Sequence, residues 1–174
     1  LEEQQRKLYL AAVVDARDKL RAAKPEDKMA VFAVLMRLRE ICCDPRLVAD
    51  NWTGGSAKLD ACIELVTSAV EGGHRILLFS QFTSMLELLA QRLDEEGISH
   101  FTLQGSTPKP MRAERVRRFN NGEADVFLIS LRAGGTGLNL TAADIVIHYD
   151  PWWNVAAQNQ ATDRAYRIGQ QNPV

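Results

Sequence analysis

The feature that most restricts how this chain folds is an alternation, from residue 58 onward, of helix-length amphipathic stretches with short runs that are apolar at every position. Ile76-Leu77-Leu78-Phe79 and Val126-Phe127-Leu128-Ile129 offer no polar face, so a strand built from either must be covered on both sides. Helices between such strands supply the cover. The expected class is therefore α/β, with a mainly parallel sheet between helical layers. The pattern predicts helices over 58–70, 84–96, 109–119 and 154–167, and strands over 75–79, 101–103, 125–130 and 144–149. Ser84 with Glu87 offers a capping box for the second of these helices, and Gly97 suits its C-terminal end.

The first fifty residues read differently. Tyr9, Ala12, Val13, Ala16 and Leu20 stand at helical spacing, and Pro25 suits the first turn of a second helix running to about Cys43. Asp44-Pro45 stops that helix, and 51–56, with Gly54-Gly55, reads as a loop. We place a boundary there, with 1–54 as a helical segment entering the main domain and 55–174 as the domain itself. The chain opens at Leu1 inside a predicted helix and closes at Val174, so a cut from a longer protein, truncated at its C-terminal end, is expected.

With 174 residues, 46% of them apolar, the chain has material for one sizeable core. Its apolar runs are far shorter than the roughly 18 residues of a membrane span, and nothing at the start resembles a secretion signal, so an intracellular protein without a membrane partner is expected. Cys42, Cys43 and Cys62 are an odd number without metal-ligand spacing and read as reduced thiols; no metal site is expected. A net charge of −1 gives no global case for nucleic-acid binding. Locally, however, Lys109, Arg112, Arg115, Arg117 and Arg118 face only Glu114 on one predicted helix, which is either a basic patch or an ordinary solvated face.

In a parallel sheet, ligands bind at the C-terminal ends of the strands, so the loops after Phe79, Leu103, Ser130 and Tyr149 should share one rim. Those loops are rich in hydroxyls, amides and glycines. Gly134, Gly135 and Gly137 leave backbone N–H groups bare enough to hold phosphate oxygens, although glycines also simply make tight turns. A dinucleotide fingerprint is not met, because Leu140 stands at the third glycine position. In the last predicted helix Gln160, Asp163, Arg164 and Arg167 gather near one face. Two arginines beside a phosphate rim suit charge stabilisation in phosphoryl transfer, and a surface Asp–Arg ladder is the equally open alternative.

Three segments, 130–143 (SLRAGGTGLNLTAA), 148–154 (HYDPWWN) and 160–170 (QATDRAYRIGQ), closely resemble motifs V and VI of the Swi/Snf family of superfamily 2 motors. Leu78-Phe79-Ser80-Gln81-Phe82 looks like motif IV, Gln104 to Thr107 with Arg112 and Arg115 like the adjoining segment, and 38–45 (LREICCDP) like the helical entry to this lobe. The resemblance covers nearly the whole chain. Val155, where the family commonly has proline, and Gln104, where it usually has an acid, depart from it.

The resemblance implies a RecA-like three-layer second lobe that closes on an N-terminal RecA-like lobe of the same parent chain, with ATP and Mg²⁺ held mainly by that first lobe and double-stranded DNA across both. It makes Arg164 and Arg167 the arginine fingers, and Gly137, Asn139 and Gln160 further nucleotide contacts. Ser80, Gln81, Gly105, Ser106, Arg132, Ala133, Gly134 and Gly135 become candidates for the DNA backbone, with Trp153 reaching DNA from the rim. Such contacts should depend on salt and ignore base sequence. No G-x-x-x-x-G-K-[ST] loop occurs in the chain, so the isolated chain is expected not to hydrolyse ATP. The isolated chain is also expected to be monomeric, and the resemblance implies that the parent is a DNA-stimulated translocase of the nucleus or of the bacterial cytoplasm and nucleoid. The alternative is a non-enzymatic clamp for DNA or protein that reuses the same fold.

Overall fold

The computed structural model describes residues 1–24, 27–133, 138–151, 155–163 and 173. The chain divides into two compact units, 1–61 and 62–174. The division falls inside a helix, whereas the sequence boundary at 54/55 lies in the loop ahead of it. In the first unit α1 (Glu3–Ala22) and α2 (Lys28–Cys43) form an antiparallel pair, joined near its base by Gln5 Nε2 donating to the Ile41 carbonyl at 3.0 Å. The second helix starts at Lys28, later than expected, where Asp27 caps it by accepting from Ala30 N at 3.1 Å. A 3-10 turn, Pro45–Leu47, follows, organised by the buried Asp44, which accepts from Arg46 N, Nε and Nη2 at 2.8–2.9 Å. Ser56 then caps α3 (Ala57–Glu71), its hydroxyl accepting from Leu59 N while donating to the Cys43 carbonyl.

The second unit is built on β1 (Ile76–Ser80), α4 (Thr83–Glu95), β2 (His100–Leu103), α5 (Lys109–Asn120), β3 (Val126–Ser130), β4 (Ile145–His148) and α6 (Val155–Thr162). All four strands are parallel, in the order β2-β3-β1-β4. The connection from β1 to β2 runs one way along the sheet and that from β2 to β3 runs back, so right-handed crossovers put α4 and α5 on opposite faces. Side-chain alternation divides the core accordingly. Leu77, Phe79, Phe127, Ile129 and Leu103 gather with Phe119 of α5 and Ala161 of α6, and the Phe119 and Phe127 rings meet edge to face at 5.3 Å. On the other face Ile76, Leu78, Val126 and Leu128 meet the apolar stripe of α4, where Met85, Leu86, Leu89 and Leu93 are fully buried.

The helices that precede β1, β2 and β3 end by one device. Gly73, Gly97 and Gly122 take φ values of +81°, +68° and +88°, and the next residue's N–H reaches back to Ala69, Leu93 and Arg118 respectively. That 6→1 bond, with a glycine in the left-handed region, closes the helix and turns the chain into the sheet. The capping box expected at Ser84 does not form. The chain enters α4 one residue earlier, with Phe82 at the cap position, and the Ser80 hydroxyl accepts from Phe82 N at 3.1 Å instead. At the opposite end of the strands Asp144 joins β1 to β4, accepting from Arg75 N at 2.9 Å and lying 2.8 Å from His74 Nδ1. Among the described residues no helix is long and apolar enough to cross a membrane.

Candidate functional site at the C-terminal rim of the sheet

Strand register sets the site. Ser80 pairs with Ser130, Leu103 with Ile129 and Phe79 with His148, so all four strands finish within one residue of a common level and their loops share a rim. At its centre is a buried carboxylate. Asp150, 1% exposed, accepts from Ser80 Oγ at 2.5 Å and from Gln81 N at 3.1 Å, tying the end of β1 to the segment after β4 across 70 residues of sequence. The tie completes a pattern of main-chain bonds in which Leu131 N donates to Ser80 O and Tyr149 N to Phe79 O. The Ser80 side chain, expected to touch DNA, is 0% exposed and its hydroxyl is committed inward. It holds the loop; it does not present itself. Gln81 is 9% exposed and its Nε2 donor has no partner among the described residues, a cost that a ligand oxygen at the rim would remove.

Gly105 and Ser106 lie exposed in the loop after β2. That loop is a closed turn, with Thr107 N donating to Gln104 O and Gln104 N to Thr107 Oγ1, both at 3.0 Å. After β3, Arg132 is exposed and Ala133 buried, while Gly134, Gly135 and Gly137 lie outside the described residues. Asn139 is exposed, and its carbonyl accepts from Asn120 Nδ2 at 2.8 Å. Asn120 also accepts from Ala142 N, so the last residue of α5 steadies the far side of the glycine loop. Gln160 is exposed on α6. The helix runs to Thr162, and Asp163, the next residue, still donates its N–H to the Asn159 carbonyl at 2.9 Å, continuing the helical bonding pattern by one position. Arg164, Arg167 and Trp153 lie outside the described residues.

His148 links the sheet to this helix. Its ring stacks on Phe79 at 5.4 Å, its Nε2 lies 3.0 Å from Thr162 Oγ1, and its Nδ1 is buried without a partner among the described residues. Burial pushes the imidazole below its ordinary 6.5, against the pull of Asp150. A histidine whose folded pKa is depressed stabilises the fold fully above its unfolded pKa and loses that contribution as pH falls through 6.5 towards the folded value. Urea unfolding at pH 7.5 and 5.5 should therefore show lower stability at the acid end, with the difference reduced in His148→Gln; an undiminished difference would place its cause elsewhere.

The basic helix also changes in character. Arg112 and Arg115 are turned to main-chain carbonyls, Arg117 pairs with Glu114 at 2.8 Å, and Arg118 pairs with Glu123 outside the helix while lying over the Phe101 ring. Sequence reasoning passed over Asp150, His148, Asn120 and the carbonyl-directed role of Arg112. The available signal was an acid directly following an apolar strand, at Asp150.

Residues 57–169 match the model of the helicase conserved C-terminal domain. The chain is 39% identical over 178 residues to a putative ATP-dependent helicase/translocase of Bacillus subtilis, covering 98% of the chain and 19% of that protein. It is 37% identical over 187 residues to mouse SWI/SNF-related matrix-associated actin-dependent regulator of chromatin subfamily A member 1, covering 100% of the chain and 18% of that protein. The chain thus spans less than a fifth of either relative. Among solved structures it resembles the Sulfolobus solfataricus SWI2/SNF2 ATPase core in complex with dsDNA, with a TM-score of 0.85 and 29% identity over 100% of this chain and 37% of that one.

Proposed function

This chain belongs to the helicase conserved C-terminal domain family as a Swi/Snf-type RecA-like lobe, and on that premise we propose that it is the second motor lobe of an ATP-dependent double-stranded DNA translocase. The observation that carries the reading is the rim itself. One parallel register brings Gln81, the Gly105-Ser106 turn and Arg132 to the same edge of the sheet, and α6 exposes Gln160, four residues before Arg164 in sequence. A motor lobe needs those two jobs side by side, since nucleotide-driven closure must move the surface that grips DNA.

In this proposal ATP and its Mg²⁺ sit mainly on the preceding lobe, and the nucleotide supplies a phosphoryl group for transfer to water. Arg164 and Arg167 reach the phosphates when the lobes close, with Gln160, Asn139 and Gly137 on the nucleotide side. Gln81, Gly105, Ser106, the Arg132–Gly135 stretch and Trp153 meet the DNA backbone, and Ser80 positions its loop from beneath. Backbone contact makes binding indifferent to sequence. The site of action would be wherever the parent protein meets DNA, in the nucleus or the bacterial nucleoid.

A triplex-displacement assay on the intact protein tests this. ATP-dependent removal of a third strand, with hydrolysis stimulated by duplex DNA, is the expected result. Tight duplex binding without displacement would replace the translocase with a non-enzymatic clamp. Hydrolysis by the isolated chain, abolished in Arg167→Ala, would sink the division of the ATP site between two lobes.

A further inference from the structure

Five basic side chains on one short helix beside a DNA-facing rim invite the simple assignment that all of them neutralise phosphates. The geometry of Arg112 points elsewhere. Its Nε donates to the Thr107 carbonyl at 2.7 Å, and its Nη2 donates to the carbonyls of Gly105 at 2.8 Å and Gln104 at 3.3 Å. Each of these partners is a main-chain oxygen of the 104–107 turn. Arg115, one helical turn further on, donates to the Thr102 carbonyl on β2 in the same manner.

Collecting carbonyls has a consequence for the amides. The Gln104 and Thr107 N–H groups close the turn on one another, while among the described residues the N–H groups of Gly105 and Ser106 have no acceptor. Both residues are exposed. Gly105 carries no fold-imposed need for glycine: a Cβ there would meet nothing within 4 Å, and its φ is not in the left-handed region. The turn therefore has its oxygens gathered inward by a cation and two successive bare amides left for an outside acceptor, as in an anion-binding nest.

We propose that Arg112 is a positioning residue: its planar guanidinium orders the Gln104–Thr107 turn so that the Gly105 and Ser106 amides meet a DNA phosphate, and its charge does not itself pair with that phosphate. This rests on the reading that the turn touches DNA. Lysine cannot substitute, because an ammonium puts all its donors on one nitrogen, whereas here Nε and Nη2 reach oxygens on different residues.

The test is equilibrium binding of duplex DNA by the intact protein, without nucleotide, across a salt series, for wild type, Arg112→Lys, Arg112→Gln and Gly105→Val. A positioning role predicts that Arg112→Lys and Arg112→Gln both weaken binding on the order of tenfold, the size of a lost charge-assisted contact, with the slope of log K against log salt unchanged. A direct charge contact predicts near-normal binding for lysine and a slope shallower by about 0.9 for glutamine, and that pattern overturns the proposal. Gly105→Val separates the two levels. Unchanged binding there removes the turn from the DNA surface altogether, whereas weakened binding there with normal binding by Arg112→Lys removes only the clamp. Amide hydrogen exchange supplies a readout independent of DNA: residues 104–107 should exchange faster in Arg112→Lys while β2 and β3 stay protected, and unaltered exchange in the turn counts against the proposal.

Discussion

Arg164→Ala or Arg167→Ala in the intact protein is expected to lower kcat by about 10³ or more, the range seen when an arginine that stabilises a transferring phosphoryl group is removed. The charge on the phosphoryl oxygens is spread over a plane in the transition state, and a guanidinium meets it with donors in a fixed fork. Lysine at either position should therefore recover little of the loss. DNA affinity without nucleotide should stay near wild type, because these residues are assigned to the nucleotide and not to the duplex. The split between kcat and DNA binding matters, since a general loosening of the lobe would depress both. Hydrolysis within a few-fold of wild type in both alanine variants would return the pair to an exposed Asp–Arg ladder, worth at most about 1 kcal/mol to the fold.

Asp150→Ala is expected to destabilise the second unit by about 3 kcal/mol. The carboxylate accepts from Ser80 Oγ and Gln81 N in a region closed to water, and its removal leaves both donors buried without their acceptor. Each orphaned group costs roughly 1–3 kcal/mol. Asp150→Asn keeps the shape and one acceptor oxygen, so about half the loss is expected. Ser80→Ala removes a partner from the same network, and the double variant Ser80→Ala/Asp150→Ala should cost clearly less than the sum of the singles, with a coupling above about 0.5 kcal/mol. Denaturant unfolding of the four proteins measures this. Additive losses would mean that the two side chains act separately and that the tie between the ends of β1 and β4 is incidental.

The features of this lobe were not equally legible in the sequence. The strands were plain, because 76–79 and 126–129 are apolar at every position and only burial on both faces satisfies that. The end of α4 was legible for a local reason as well: Gly97 adopts positive φ cheaply, and the bond that stops the helix spans six residues, a device that the structure repeats at Gly73 and Gly122. The capping box at Ser84 failed because its rival lay just outside the window. Ser80, already fixed by the strand, offers its hydroxyl to Phe82 N, and the helix begins before Ser84 can act as a cap.

The basic helix shows the same limit for charge. Sequence counts cations, whereas the carbonyls of 102, 104, 105 and 107 that take up Arg112 and Arg115 carry no mark in the sequence. Ser80 was read as a DNA contact through the resemblance of its segment to motif IV; that the hydroxyl faces Asp150 depends on β4 lying beside β1.

By itself, then, the sequence determined the parallel α/β architecture, the rim that the strand ends share and the family of motors to which the lobe belongs, since each follows from short-range periodicity or from contiguous motifs. Only the tertiary structure decided which rim residues present themselves and which hold others in place. The Ser80–Asp150 tie spans 70 residues, and the register of β1 on β4 creates it, so the side-chain directions at the rim are set by pairing between strands that no local pattern encodes.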